Sequence, residues 1–152
     1  MAKRLLTSLT LMATMAAGAS FADGHIAGAI KARQGQMQLY AHYLGVLGGM
    51  ARGNTEYNAE AAQAAADSLL AVASISGATL WPQGSDMDSV EGTRAKAAIW
   101  ENFADVGAKS MAVTTAAANM ATAAGTDLES LRAAMGDLGG TCGACHKAYR
   151  GR

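Results

Sequence analysis

Proline, cysteine and aromatic residues are scarce in this chain of 152 residues. It has one proline, Pro82, two cysteines, and 5% Trp, Tyr and Phe together. A single proline leaves long stretches free of the residue that most strongly breaks helices. A zinc site needs about four ligands, and the two cysteines and three histidines are not grouped in the sequence to supply them. Cys142 and Cys145 sit three apart, and His25 and His42 are far from them in sequence. Charged residues make up 16%, with 12 basic against 12 acidic. Nucleic-acid binding would call for a basic face, which this balance does not suggest.

Against that background one short stretch is specific: Cys142-Gly143-Ala144-Cys145-His146. Two thiols three apart, with histidine directly after, read as a covalent attachment site for c-type haem. Each thiol adds to one haem vinyl group, and the histidine coordinates iron. On a helix the three side chains fall within about 100° of arc, so all can reach one flat ligand. A thioredoxin-like pair would sit between strand and helix, and nothing upstream reads as a strand. A thiol-redox or metal-binding helical protein is the reading from a different class.

The N-terminus reads as an export signal. Lys3 and Arg4 precede an apolar run from Leu5 to Ala17, and Ser20-Phe21-Ala22 places small residues at the cleavage positions. The run is shorter than the roughly 20 residues of a membrane span. A secretory signal peptide over 1–22 is expected, with an uncleaved anchor as the alternative. The domain is then 23–152. Loss of Lys3 and Arg4 leaves 10 basic against 12 acidic residues, a formal charge of −2. The expected location is the periplasm. Both cysteines are committed to the haem motif, so no structural disulfide is expected there.

The remaining chain is rich in alanine, and its stops and caps predict four helices. The first spans about Gly24 to Arg52, with Asp23 as N-cap and Gly53 beyond its end. The second spans Ala59 to Ser76, capped by Asn58 and stopped by Gly77. The third spans Arg94 to Ala124. The fourth opens with a capping box, Thr126-Asp127-Leu128-Glu129, and runs to Arg150. The long connection, Gly77 to Thr93, holds Trp81 and Pro82.

Apolar stripes at spacings of three and four mark helices packed at small angles. The last helix carries Leu131, Leu138, Cys142, Cys145 and Tyr149 on one stripe, so the cofactor belongs to the core. The first carries Ile30, Arg33, Met37, Tyr40, Leu44 and Leu47. Glycines inside helices, among them Gly35, Gly45, Gly48, Gly139, Gly140 and Gly143, each cost about 1 kcal/mol. Close approach of a backbone or a macrocycle is the expected compensation. Trp81 and Trp100 read as packing residues.

The chain resembles the cytochrome c′ and cytochrome c-556 family, the class II c-type cytochromes. The resemblance rests on the Cys142-x-x-Cys145-His146-Lys147-Ala148-Tyr149-Arg150 ending, on Arg33-Gln34-x-x-Met37, and on Ala97-Ala98-Ile99-Trp100. It implies an all-α, antiparallel up-down-up-down four-helix bundle with one covalent haem c near one end. That topology is a known example for cytochrome c′. It also implies Arg33 beside a haem propionate, with Gln34 as a second polar contact. An arginine reaching out to solvent is the plainer reading of Arg33. Arg150 either faces the haem edge or belongs to a frayed basic end.

The function expected is one-electron transfer with periplasmic or membrane-bound redox proteins, and no acid–base or nucleophile constellation suggests an enzyme. Metal ligands are His146 and, opposite it, Met37. The alternative is a five-coordinate cytochrome c′ that binds nitric oxide or carbon monoxide. A homodimer is expected to be weak or absent, although Leu39, Tyr43 and Val46 off the main stripe could form a dimer face. His25 and His42 are not expected to bind iron.

Overall fold

A computed structural model describes residues 15–152, with side chains from Gly24 onward. Five helices occur among the described residues: α1 (Met15–Ala51), α2 (Ala59–Ala73), α3 (Ala98–Glu101), α4 (Phe103–Ala123) and α5 (Leu128–Tyr149). α3 is a single turn leading into α4, so the body is a bundle of four helices. They form a ring in chain order: α1 packs on α2 and α5, α2 on α4, and α4 on α5. The short links 52–58 and 124–127 favour antiparallel neighbours.

Local sequence accounts for most boundaries. Asn58 caps α2, its side chain accepting from Ala61 N–H at 2.8 Å. Gly53, at φ +75°, supplies the left-handed turn beyond α1. α5 is capped by Asp127, whose carboxylate accepts from Ser130 N–H at 2.7 Å, and not by Thr126 as the capping-box reading expected. α2 stops at Ala73, three residues earlier than expected.

Two expected boundaries differ more. α1 begins at Met15 and runs on without a break at Asp23, since alanine-rich residues on both sides continue the helix. The first 14 residues of the expected export signal lie outside the described residues. The third predicted helix starts at Ala98 rather than Arg94 and is broken at Asn102 (φ −129°, ψ 41°), whose side-chain amide donates to Ala98 O at 3.1 Å. Asparagine commonly competes with the helix backbone in this way.

The core divides in two. One cluster holds Leu47, Leu69, Met120, Leu131 and Leu138, in the half of the bundle containing the α1–α2 and α4–α5 links. Each fully buried aliphatic side chain contributes about 1.5–3 kcal/mol. The other, smaller cluster is Ala95, Ile99 and Tyr149, with Trp81, Trp100 and Cys145 packed against it. The two indoles meet edge to face at 6.3 Å, and Trp100 Nε1 donates to Trp81 O at 3.1 Å, so both tryptophans do pack.

The glycines do not show the backbone approach expected of them. A Cβ at Gly35, Gly45, Gly139, Gly140 or Gly143 meets nothing within 4 Å, while one at Gly48 meets the Arg52 side chain. No described helix is long and apolar enough to cross a membrane.

Candidate cofactor site

Between the two clusters the inward stripes lose their burial. On α5 no residue between Leu138 and Tyr149 is buried; on α4 none is between Phe103 and Thr115; on α1 none is between Gln34 and Val46. Met37 is 42% exposed and Phe103 50%, although both positions belong to core stripes. Cys142 and Cys145 lie within this stretch, half-buried and unpaired.

The flanking groups fix how the helices face one another here. Burial, and then the nearby Cys142 thiol, push the Tyr40 hydroxyl above its ordinary range. Tyr40 and Cys142 thus lie near one another across the α1–α5 seam. The helices are antiparallel, so one turn back from Tyr40 and one turn on from Cys142 both run toward the same end of the bundle. At 1.5 Å per residue these are steps of about 4.5 and 6 Å. They arrive at Met37 and at His146.

His146 is an exposed residue in the last turn of α5. Desolvation, then the cations Arg150 and Arg94, hold its imidazole below the ordinary range. The neutral form, which coordinates metal, is thereby favoured. Burial raises both thiols, Cys142 and Cys145 alike. A redox-active thiol pair would show the opposite shift. Among the described residues no three His, Cys, Asp or Glu side chains gather as a metal site.

Arg33 does not reach out to solvent: it is 4% exposed. Its guanidinium donates to Ser85 Oγ at 2.8 Å, Ser85 O at 2.5 Å, Thr93 Oγ1 at 2.8 Å and Leu80 O at 3.4 Å. It also lies over the Trp81 ring, 4.6 Å from its centre. Gln34 Nε2 donates to Gly92 O at 2.6 Å. Both residues thus clasp the long loop to α1. The loop in turn is stitched to the end of α5, through Lys96 N–H to Tyr149 O at 3.0 Å and Gly151 N–H to Arg94 O at 2.7 Å. Sequence reasoning missed Ser85 and Thr93, which no periodicity marks. Arg150 is not frayed; it pairs with Ala95 in an isolated bridge. His25 and His42 are exposed.

A surface cleft of about 660 Å³ lies along the α4–α5 seam between Asp105 and Asp137 and is lined by none of Cys142, Cys145, His146 or Met37. The site stands instead on the inner faces. Two thiols, an imidazole one residue on, and weakly buried apolar stripes facing them suit a flat, largely apolar group held by thioethers. The residues present therefore fit haem c.

The family model described as Cytochrome C′ matches residues 28–150. The chain belongs to the cytochrome c′ family. Among curated relatives, cytochrome c-554 of Cereibacter sphaeroides is 50% identical over 121 residues, which is 80% of this chain and 79% of that one. Cytochrome c′ of the same organism is 41% identical over 142 residues, 93% of each chain. A solved cytochrome c′ from Rhodobacter spheriodes superposes with a TM-score of 0.81 at 38% identity, covering 84% of this chain and 98% of that one. Membership brings the cofactor with it: this is a c-type cytochrome that carries covalent haem c with iron. Cys142 and Cys145 are the only cysteines in the sequence.

Proposed function

We propose that this cytochrome is a periplasmic one-electron carrier with His146 and Met37 as axial ligands. What supports the reading is that Met37, 42% exposed on the core stripe of α1, lies in the stretch where the α5 stripe carrying Cys142 and Cys145 also loses its burial. When bound, haem c supplies a reversible ferric–ferrous couple. Cys142 and Cys145 hold it covalently on α5. His146 coordinates from one side as a neutral imidazole. Met37 offers its thioether sulfur from α1, and His/Met ligation raises the potential.

Arg33 brings a fixed positive charge to the propionate edge. The loop contacts use its two terminal nitrogens and leave the Nε–H for a carboxylate. Gln34 is the second polar contact there. Residues 1–22 are the export signal, cleaved after Ala22, which delivers the chain to the periplasm before haem attachment.

Voltammetry of the holoprotein tests this reading. A single reversible one-electron wave is expected, with carbon monoxide leaving the ferrous spectrum unchanged. Prompt carbon monoxide binding at the iron would contradict the ligand set and favour the gas-binding alternative.

A further inference from the structure

The loop between α2 and α3 holds Arg33 with oxygens that carry no net charge. Leu80 O and Ser85 Oγ accept from one terminal nitrogen, and Ser85 O and Thr93 Oγ1 from the other. The remaining donor, Nε–H, lies outside this clasp. The two hydroxyls are themselves fixed. Ser85 is fully buried, and its Oγ–H donates to Pro82 O at 2.7 Å. Thr93 Oγ1 also accepts from Ala95 N–H at 3.2 Å.

The loop backbone bends at both hydroxyl residues. Gly84, at φ +74°, directly precedes Ser85, and Gly92, at φ +80°, directly precedes Thr93. Both angles lie in the left-handed region, which glycine enters at no steric cost. Gly53, also at positive φ, has a different task, the stop beyond α1.

Joining the loop to α1 does not by itself call for this arrangement. Burying a cation is costly, and a well-packed aliphatic side chain would make the same join without that cost. The Trp81 ring, 4.6 Å from the guanidinium carbon, offers such a side chain an apolar face. A carboxylate partner would offset the cost, and Asp86 is buried next to Ser85 in the chain. Its oxygens are taken elsewhere. Oδ1 accepts from Asp88 N–H at 3.0 Å and Ser89 N–H at 2.9 Å, and Oδ2 from Ser89 Oγ–H at 2.9 Å. The only ion pair among the described residues is Lys109–Asp105. Burial pulls Arg33 below its ordinary range, and the nearby Asp86 charge opposes that pull without bonding to it. A buried cation met only by neutral dipoles is suited to an anionic group.

We infer that Ser85 and Thr93 are positioning residues, which hold Arg33 as an uncompensated cation toward a haem propionate and so raise the reduction potential. The inference rests on the reading of Arg33 at the propionate edge. Charge interactions fall with distance, so oxygens fixed beforehand set the strength of this one.

The test is a set of reduction potentials and thermal midpoints for the holoprotein. Thr93→Val keeps the shape of the side chain and loses its hydroxyl, while Thr93→Ser keeps the hydroxyl. Thr93→Val should lower the potential by about half of the fall produced by Arg33→Leu. Thr93→Ser should hold the wild-type potential. Ser85→Ala should act in the same direction as Thr93→Val. In an Arg33→Leu background neither change should lower the potential further, since both act through Arg33. Thr122→Val, the same change on the exposed surface of α4, should leave the potential unmoved. If Ser85→Ala fails to take up haem, Thr93→Val decides alone.

A lower thermal midpoint with an unmoved potential in Thr93→Val would make the hydroxyls loop contacts only, overturning the inference while the Arg33 reading stands. An equal fall with and without Arg33 would assign the effect to the loop's cover of the haem, and overturn it also. An Arg33→Leu potential equal to that of the wild type would overturn the reading of Arg33 at the propionate edge, and the inference with it.

Discussion

Tyr149 donates its hydroxyl to Asp105 Oδ2 at 2.5 Å, tying the last turn of α5, the helix of Cys142, Cys145 and His146, to α4. The tyrosine ring is buried in the small cluster with Ala95 and Ile99, three residues past His146. Asp105 also accepts from Lys109 at 3.2 Å, so the contact is a short chain of three polar groups.

The contact has a pH signature on the alkaline side. Donation to Asp105 and burial push the Tyr149 hydroxyl up to about 12. A folded-state value above the unfolded one, about 10, stabilises fully below pH 10 and is lost as pH rises toward 12. On the acid side the same bond, then Lys109, holds the Asp105 carboxyl below its ordinary range. That contribution is present above the unfolded value, about 4, and is lost as pH falls through the folded one. Denaturation midpoints of Tyr149→Phe against pH should show both dependences flattened. Parallel curves for the two proteins would show that the bond does not form in solution.

Arg33 should separate charge from geometry. On the proposal that Arg33 faces a haem propionate, Arg33→Leu removes a buried cation beside it, favours the more positive ferric state, and should lower the potential by about 50 mV. It also unclasps the loop from α1, at a cost of about 3 kcal/mol from lost charged hydrogen bonds. Arg33→Lys keeps the charge without the fork, so the potential should hold while stability falls. Haem attachment should survive both changes. An unmoved potential in Arg33→Leu, with stability alone reduced, would leave Arg33 as a loop clasp only.

The oligomer should be a monomer or a weak dimer. Tyr43 and Val46, two candidates for a dimer face, pack against the main core cluster, and Leu39 stays exposed. Sedimentation velocity at micromolar concentration should show monomer. A single dimeric species would make the Leu39 side of α1 an interface.

What could be read from residues alone followed the range of the interactions. Asn58 caps a backbone N–H three residues on, and Gly53 acts on its own φ, so both were visible locally. Leu138, Cys142, Cys145 and Tyr149 share a stripe whose spacing marks the inner face of α5. The break at Asn102 was hidden because the apolar stripe runs on from Ile99 to Val106 across it. Thr126 and Asp127 both offer capping oxygens, and residue type alone does not say which backbone turns first. Arg33 stood out as a charge on an apolar stripe, but its partners lie 47 to 60 residues away in a loop without periodicity. Tyr149 and Asp105 are 44 residues apart, on helices whose relative rotation only packing sets.

The ferric absorption spectrum, recorded for the wild type and for Met37→Ala, tests the central claim most directly. With Met37 coordinating opposite His146, the wild type is low-spin and shows a far-red charge-transfer band from sulfur to ferric iron. Met37→Ala should abolish that band, lower the potential and let carbon monoxide bind the ferrous iron. A high-spin wild-type spectrum, unchanged in spin state by Met37→Ala, would contradict the ligand assignment and make this cytochrome a five-coordinate gas binder.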